Sequence, residues 1–233
     1  MTGEEAHVMN STQPMPQTNE MPDNAWYPIK VNQFLYLNRI LYFQVTGPPP
    51  STRNCHSSTQ FSQYFIVFGG REGDDKKRIV NDVYIFDTEK KLWMQPKLDK
   101  HKQPLPRMGH SAQLYNGSHI VIFGGWNGYQ VLSDVILIDL TRGVEKLTFE
   151  IPPNVRGEAP MRQFHTANII ESKMYVFGGG DGKSWLNDLL IFDIENLEWS
   201  GPVQTQGIAP IGRLQHSAVT YEKEIYIMGG EPD

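Results

Sequence analysis

Residues 107–139 read RMGHSAQLYNGSHIVIFGGWNGYQVLSDVILID, and the order of signals in this stretch decides the fold. Three apolar runs are separated by Asn-Gly, Gly-Gly and Asp, each too short for a helix and without the three-to-four spacing of one. The run that starts at His110 reads as a strand, A. The run closing on Gly124 and Gly125 reads as strand B, and the run closing on Asp139 as strand C. Strands B and C are continuously apolar, the pattern of strands covered on both faces.

Working outward, the same order returns three times. Apolar runs end in a glycine pair at YFIVFGG (64–70), HIVIFGG (119–125), KMYVFGG (173–179) and EIYIMGG (224–230). The pairs are Gly69 and Gly70, Gly124 and Gly125, Gly178 and Gly179, and Gly229 and Gly230, spaced 51 to 55 residues apart. Ahead of each stands an Arg-x-x-His: Arg53 and His56, Arg107 and His110, Arg162 and His165, Arg213 and His216. After the first three comes a run closing on aspartate, DVYIFD (82–87), DVILID (134–139) and DLLIFD (188–193), and then a shorter strand D with Trp93, Phe149 or Trp199. A fixed period of this kind marks a repeat architecture in which no unit can cover its own faces and copies must stack.

The recurring signals resemble the kelch repeat, whose period is about fifty residues. The resemblance covers residues 48–233, as repeats 48–103, 104–159, 160–209 and a partial 210–233. It implies an all-β, kelch-type β-propeller with three complete four-stranded blades and part of a fourth. It also implies that the strand D aromatics fill the gap between blades. Asp87, Asp139 and Asp193 are placed to accept backbone N–H groups in the turn after strand C. The chain stops at Asp233, after strand B of its fourth repeat. Either the ring is incomplete, the reading favoured here, or residues 26–46 fold back as a hairpin and supply strands C and D to a four-bladed ring. An incomplete ring leaves an open edge for self-association, or marks a shortened product without independent function.

Ahead of the repeats, residues 1–25 lack periodicity and have the composition of a disordered leader, followed by strand material at 26–47. The longest apolar stretch, VNQFLYLNRILYFQV (31–45), is too short to span a bilayer and carries Asn38 and Arg39 in its middle. The formal charge is -5 and no basic run exceeds Lys76-Lys77-Arg78, which argues against nucleic acid as a partner. A single cysteine, Cys55, excludes an internal disulfide, and the polar first residues do not read as a signal peptide. A cytosolic or nuclear location is expected.

No catalytic residue, metal ligand or cofactor is expected. The histidines offer two readings: convergence near the axis on a metal, or structural hydrogen bonds within each blade, with each arginine satisfying neighbouring carbonyls. The second is favoured because all eight residues follow the repeat. Copper-dependent galactose oxidase is similar only at the level of the blade. Its chemistry needs a Cys cross-linked to a Tyr, and Cys55 has no such partner evident in the sequence.

What remains is one rim, where the B–C loops emerge: REGDDKKRIV (71–80), WNGYQVLS (126–133) and GDGKSWL (180–186). These vary while the strands do not, as recognition loops on a rigid scaffold do. Trp126, Asn127, Tyr129, Asp181 and Trp185 are the expected contacts for a peptide or protein, with Arg71, Lys76 and Lys183 to meet carboxylates. Trp185 and Tyr129 have an alternative as packing under the next blade. Asn54, Met108, Gln163 and Leu214, inside the Arg-x-x-His motifs, are placed at the same rim by the resemblance. The expectation is a non-enzymatic interaction module, of the scaffold or adaptor kind. A small metal-dependent, oxidase-like enzyme using the histidines is the alternative.

Overall fold

Runs of Val, Ile, Phe and Tyr five residues long form strands because branched and aromatic side chains pack well on a pleated surface. The computed structural model describes residues 45–73 and 78–232. The expected leader, the expected hairpin up to residue 44, and Lys76 lie outside the described residues.

Each of the first three repeats folds into a four-stranded antiparallel meander, in the order A-B-C-D. The first contains Ser57–Phe61, Tyr64–Phe68, Val83–Asp87 and Leu92–Met94. The second contains Ser111–Tyr115, His119–Phe123, Val135–Asp139 and Thr148–Glu150. The third contains Thr166–Ile170, Lys173–Phe177, Leu189–Asp193 and Glu198–Ser200. The fourth shows strands A and B, Ser217–Tyr221 and Glu224–Met228. Among the described residues the sole helical element is a 3-10 turn, Val144–Lys146. These meanders stack as blades of the β-propeller kind, and the class is all-β as the repeats predict.

The core lies between the blades, not within them. Ile66, Phe68, Val83 and Ile85 of the first blade pack against Ile120, Ile122, Ile136 and Ile138 of the second. Val121, Phe123 and Val135 on the second blade's other face meet Ala167, Met174, Val176, Leu190, Phe192 and Trp199 of the third. Full burial stabilises by about 1.5–3 kcal/mol for each such aliphatic or aromatic side chain, so a blade stripped of its neighbour loses most of what holds it. Strand D supplies the wedge: Phe149 stands 5.6 Å from Phe68, and Trp199 4.6 Å from Phe123, ring centre to ring centre.

Successive A strands lie beside one another in the series first, second, third, fourth, and among the described residues the fourth does not meet the first. The far face of the fourth blade leaves Val219, Tyr221, Tyr226 and Met228 exposed. The chain entering a blade first runs along that blade's outer edge. The Trp93 amide donates to the Thr46 carbonyl at 2.8 Å, and the Trp199 amide donates to Arg156 at 2.9 Å. Thr46, the last residue of the expected hairpin, is therefore seated on the first blade.

Candidate functional site

The Arg-x-x-His segments form the inner end of the blades. The residue just before each histidine has left-handed backbone: Cys55 (φ 55), Gly109 (φ 64), Phe164 (φ 54) and Gln215 (φ 54). That twist turns each amide toward the blade before it. Gly109 N–H donates to the Cys55 carbonyl at 2.9 Å, Phe164 to Gly109 at 2.7 Å and Gln215 to Phe164 at 3.1 Å. One continuous file of peptide hydrogen bonds thus links all four repeats.

Each arginine reaches outward from this file. Nη1 of Arg53, Arg107, Arg162 and Arg213 donates to the carbonyl of the first glycine of its own blade's pair, at 3.0, 3.0, 2.9 and 2.8 Å. This is the carbonyl role expected of them. A second partner was not read from the sequence: Asp82, Asp134 and Asp188, one residue ahead of strand C, each accept two bonds from Arg53, Arg107 and Arg162. Arg107 and Arg162 are buried, and a guanidinium gives up water only where its donors are met in this two-pronged way. The aspartates were visible as the first letter of DVYIFD, DVILID and DLLIFD, but their partners lie 26 to 29 residues upstream. The closing aspartates turn the chain: Asp87 accepts from Glu89 and Lys90, Asp139 from Thr141, and Asp193 from Asn196.

The histidines correct the expectation that each would bond within its own blade. His110 Nε2 stands 2.9 Å from Ser57 Oγ, His165 Nε2 2.9 Å from Ser111 Oγ, and His216 Nε2 2.8 Å from Thr166 Oγ1. Every partner belongs to the preceding blade. The same rings meet Phe68, Phe123 and Phe177 edge to face, again across the junction. Burial, reinforced by the Arg107 or Arg162 charge, holds His110 and His165 down to a pKa of about 3, so both are neutral at pH 7. The Nε2 atoms of His110, His165 and His216 point to three separate hydroxyls rather than to one point. Among the described residues no group of three His, Cys, Asp or Glu side chains is placed to hold a metal ion. The partner hydroxyls belong to the Ser or Thr that follows the histidine in each of the first three repeats.

The glycine pairs divide the work. A Cβ on Gly124 (φ +64) would lie 2.5 Å from the Arg162 carbonyl of the next blade, and one on Gly125 (φ +99) 2.8 Å from the Met108 carbonyl of its own. The first glycine lets the neighbouring blade approach. The second lets its own entry segment approach, and its amide bonds the neighbour's arginine carbonyl, as in Gly125 to Arg162 at 2.7 Å.

Beyond each pair the chain forms the rim. Arg71 pairs with Asn54 and with Ile79, Trp126 with Met108 and Val131, and Gly180 with Gln163 and Trp185, while Leu214 pairs with Glu231. The loops touch in sequence: a Cβ on Gly128 would stand 3.5 Å from Ile79 Cδ1, and one on Gly182 3.3 Å from Val131 Cγ2. Asn127 Oδ1 accepts from Tyr129 and Gln130, and Asp181 Oδ1 from Lys183 and Ser184, so both carboxyl or amide groups set loop shape. These backbone bonds hold the Asp181 carboxyl below its usual range. Tyr129 is 96% exposed, Trp126 and Trp185 are half-buried, Met108 is buried and Asn54 is exposed. Gln163, Lys183, Trp185 and Leu214 come together with Gly180, Gly182 and Ser184 around a cleft of about 180 Å³. Trp126 and Tyr129 belong to the neighbouring loop and do not line it.

The sequence matches the profile of the KLHDC2/KLHL20/DRC7 Kelch-repeats domain over residues 19–144 and 55–233. It is 31% identical over 217 residues to Host cell factor of Drosophila melanogaster, covering 79% of this chain and 14% of that protein. It is 31% identical over 191 residues to Kelch domain-containing protein 3 of Bos taurus, covering 78% of this chain and 48% of that protein. To Acyl-CoA-binding domain-containing protein 4 of Arabidopsis thaliana it is 29% identical over 167 residues, covering 71% of this chain and 24% of that protein. The chain thus spans less than half the length of each of these relatives. With the Arg-Asp clamps, the paired glycines and the stacked four-stranded blades, these matches show that the chain belongs to the kelch-repeat family, whose members generally mediate protein–protein interaction.

Proposed function

We propose that the blades form a recognition module that binds a peptide or protein on the rim built from the B–C loops and the Arg-x-x-His entry segments, without catalysing a reaction. The observation that carries this is the cleft shared by Gln163, Lys183, Trp185 and Leu214. It sits on backbone fixed by cross-strand bridges, beside a loop that holds Tyr129 almost wholly in solvent. Fixed main chain with an aromatic face and an exposed lysine is the chemistry of an interaction hot spot. Lys183 suits a carboxylate on the partner. The single cysteine and the unexceptional net charge support a scaffold or adaptor role in the cytosol or nucleus. Among the described residues no helix is long and apolar enough to cross a membrane.

The test compares affinity capture from cell extract by the wild type, by a Tyr129→Ala and Lys183→Glu double variant, and by Glu89→Lys, which changes the opposite end of a blade. A partner whose recovery falls at least tenfold with the rim variant and is unchanged by Glu89→Lys supports the reading. Equal recovery by all three overturns it.

A further inference from the structure

The loops that follow the second and third glycine pairs are built alike. Trp126 bridges Val131 as Gly180 bridges Trp185. The next amide then bonds across its loop, Asn127 to the Gln130 carbonyl at 3.2 Å and Asp181 to the Ser184 carbonyl at 3.3 Å. In both, one side-chain oxygen accepts two main-chain amides. Asn127 Oδ1 takes those of Tyr129 and Gln130, each at 2.9 Å, and Asp181 Oδ1 takes those of Lys183 and Ser184, each at 2.7 Å. A glycine with left-handed backbone follows each, Gly128 at φ 101 and Gly182 at φ 93. The loops differ at the pivotal residue, a neutral carboxamide in one and a carboxylate in the other.

An asparagine followed by glycine is open to attack by its own main chain, because the next nitrogen lies within reach of Cγ and no Cβ stands in the way. Two features of the fold favour this at Asn127. The Tyr129 and Gln130 amides polarise the side-chain carbonyl and are placed to receive the charge that develops on Oδ1, as an oxyanion hole does. The attacking nitrogen is also untethered, since among the described residues the Gly128 amide donates no hydrogen bond.

The chain holds a second Asn-Gly, Asn116-Gly117, in the exposed A–B turn of the same blade. There φ values of 49 and 62 are held in a two-residue turn by the Ser118 amide, which donates to the Tyr115 carbonyl at 3.2 Å. Among the described residues no main-chain amide bonds the Asn116 side-chain oxygen.

We propose that Asn127 is a site of intramolecular deamidation that turns this loop acidic. The Gly128 nitrogen gives its proton to solvent and bonds to Asn127 Cγ. The Cγ–Nδ2 bond breaks, and the leaving nitrogen takes up a proton and departs as ammonia. Water opens the resulting cyclic imide at either carbonyl, which leaves aspartate or isoaspartate. The aspartate product reproduces the arrangement already present at Asp181, so the loop receives it without rebuilding. The rim then carries an added negative charge, whether or not a partner binds there.

The test incubates the whole folded chain at mildly alkaline pH and follows it by peptide mapping, where conversion adds about 1 Da and fragment spectra place it. Asn127 is expected to convert roughly tenfold faster than Asn116. In urea, where the bonds to Oδ1 are gone, the two rates should come together, which separates the part played by the fold from that of the dipeptide. An intact Asn127, an Asn116 that converts as fast in the folded chain, or an unchanged ratio in urea would each overturn the inference. Asn127→Asp should melt with the wild type, and an early melt would overturn the fit of the product.

Discussion

His165 Nε2 lies 2.9 Å from Ser111 Oγ, and both atoms are buried at the junction of the second and third blades. The histidine therefore works as a clasp between repeats. Ser111→Ala should leave that ring nitrogen without a partner and lower stability by about 1–3 kcal/mol. The effect should be seen in urea unfolding, while Thr205→Ala, in an exposed loop, should stay within about 0.5 kcal/mol of wild type.

Acid should open these clasps. His110 and His165 sit at about 3 in the folded chain against an ordinary value of 6.5, so between those values the unfolded state binds the extra protons. Stability is then fully present above pH 6.5 and declines as pH falls, by about 1.4 kcal/mol per pH unit for each histidine. Urea midpoints measured at pH 7, 6 and 5 should fall progressively, and His110→Asn should remove about half of the slope. A flat profile over this range would contradict the buried, neutral assignment.

Gly124 and Gly229 occupy the same place in the second and fourth repeats, with φ of 64 and 67, but differ in surroundings. A Cβ on Gly124 meets the Arg162 carbonyl, whereas one on Gly229 meets nothing within 4 Å among the described residues. Gly229→Ala should cost only the left-handed backbone penalty of about 1 kcal/mol. Gly124→Ala should cost several times more, as read by thermal unfolding of the two variants side by side.

The Arg162–Asp188 clamp, with contacts of 2.6 and 2.7 Å, predicts a loss of about 3–5 kcal/mol for Asp188→Ala, which strands a buried guanidinium. Lys223→Ala removes an ion pair to Glu171 in which both side chains are exposed, and should change unfolding by less than about 1 kcal/mol.

The period, the strands and the glycine pairs were legible because each is a local signal that returns at fixed spacing. Contacts across repeats were not. Nothing in His110-Ser111 says that the ring of one repeat answers the hydroxyl of the repeat before it, since 53 residues separate His110 from Ser57. Asp134 lies in the same repeat as Arg107 but 27 residues from it, so its part in the clamp was no more visible in the local pattern of the strand. At the rim the loops were found but not their grouping. Lys183, Trp185, Gln163 and Leu214 converge because the third loop folds over the entry to the fourth blade, while Tyr129 projects from the adjacent loop on an Asn127-centred turn.

The file of amides through Cys55, Gly109, Phe164 and Gln215 is made of peptide groups alone. The centre of the molecule is therefore welded without asking anything in common of the side chains there: a thiol, a bare hydrogen, a phenyl ring and a carboxamide. The step from one repeat to the next is fixed at this end by the main chain, and the side chains carried there differ repeat by repeat, the bare Gly109 making room for the Phe164 ring.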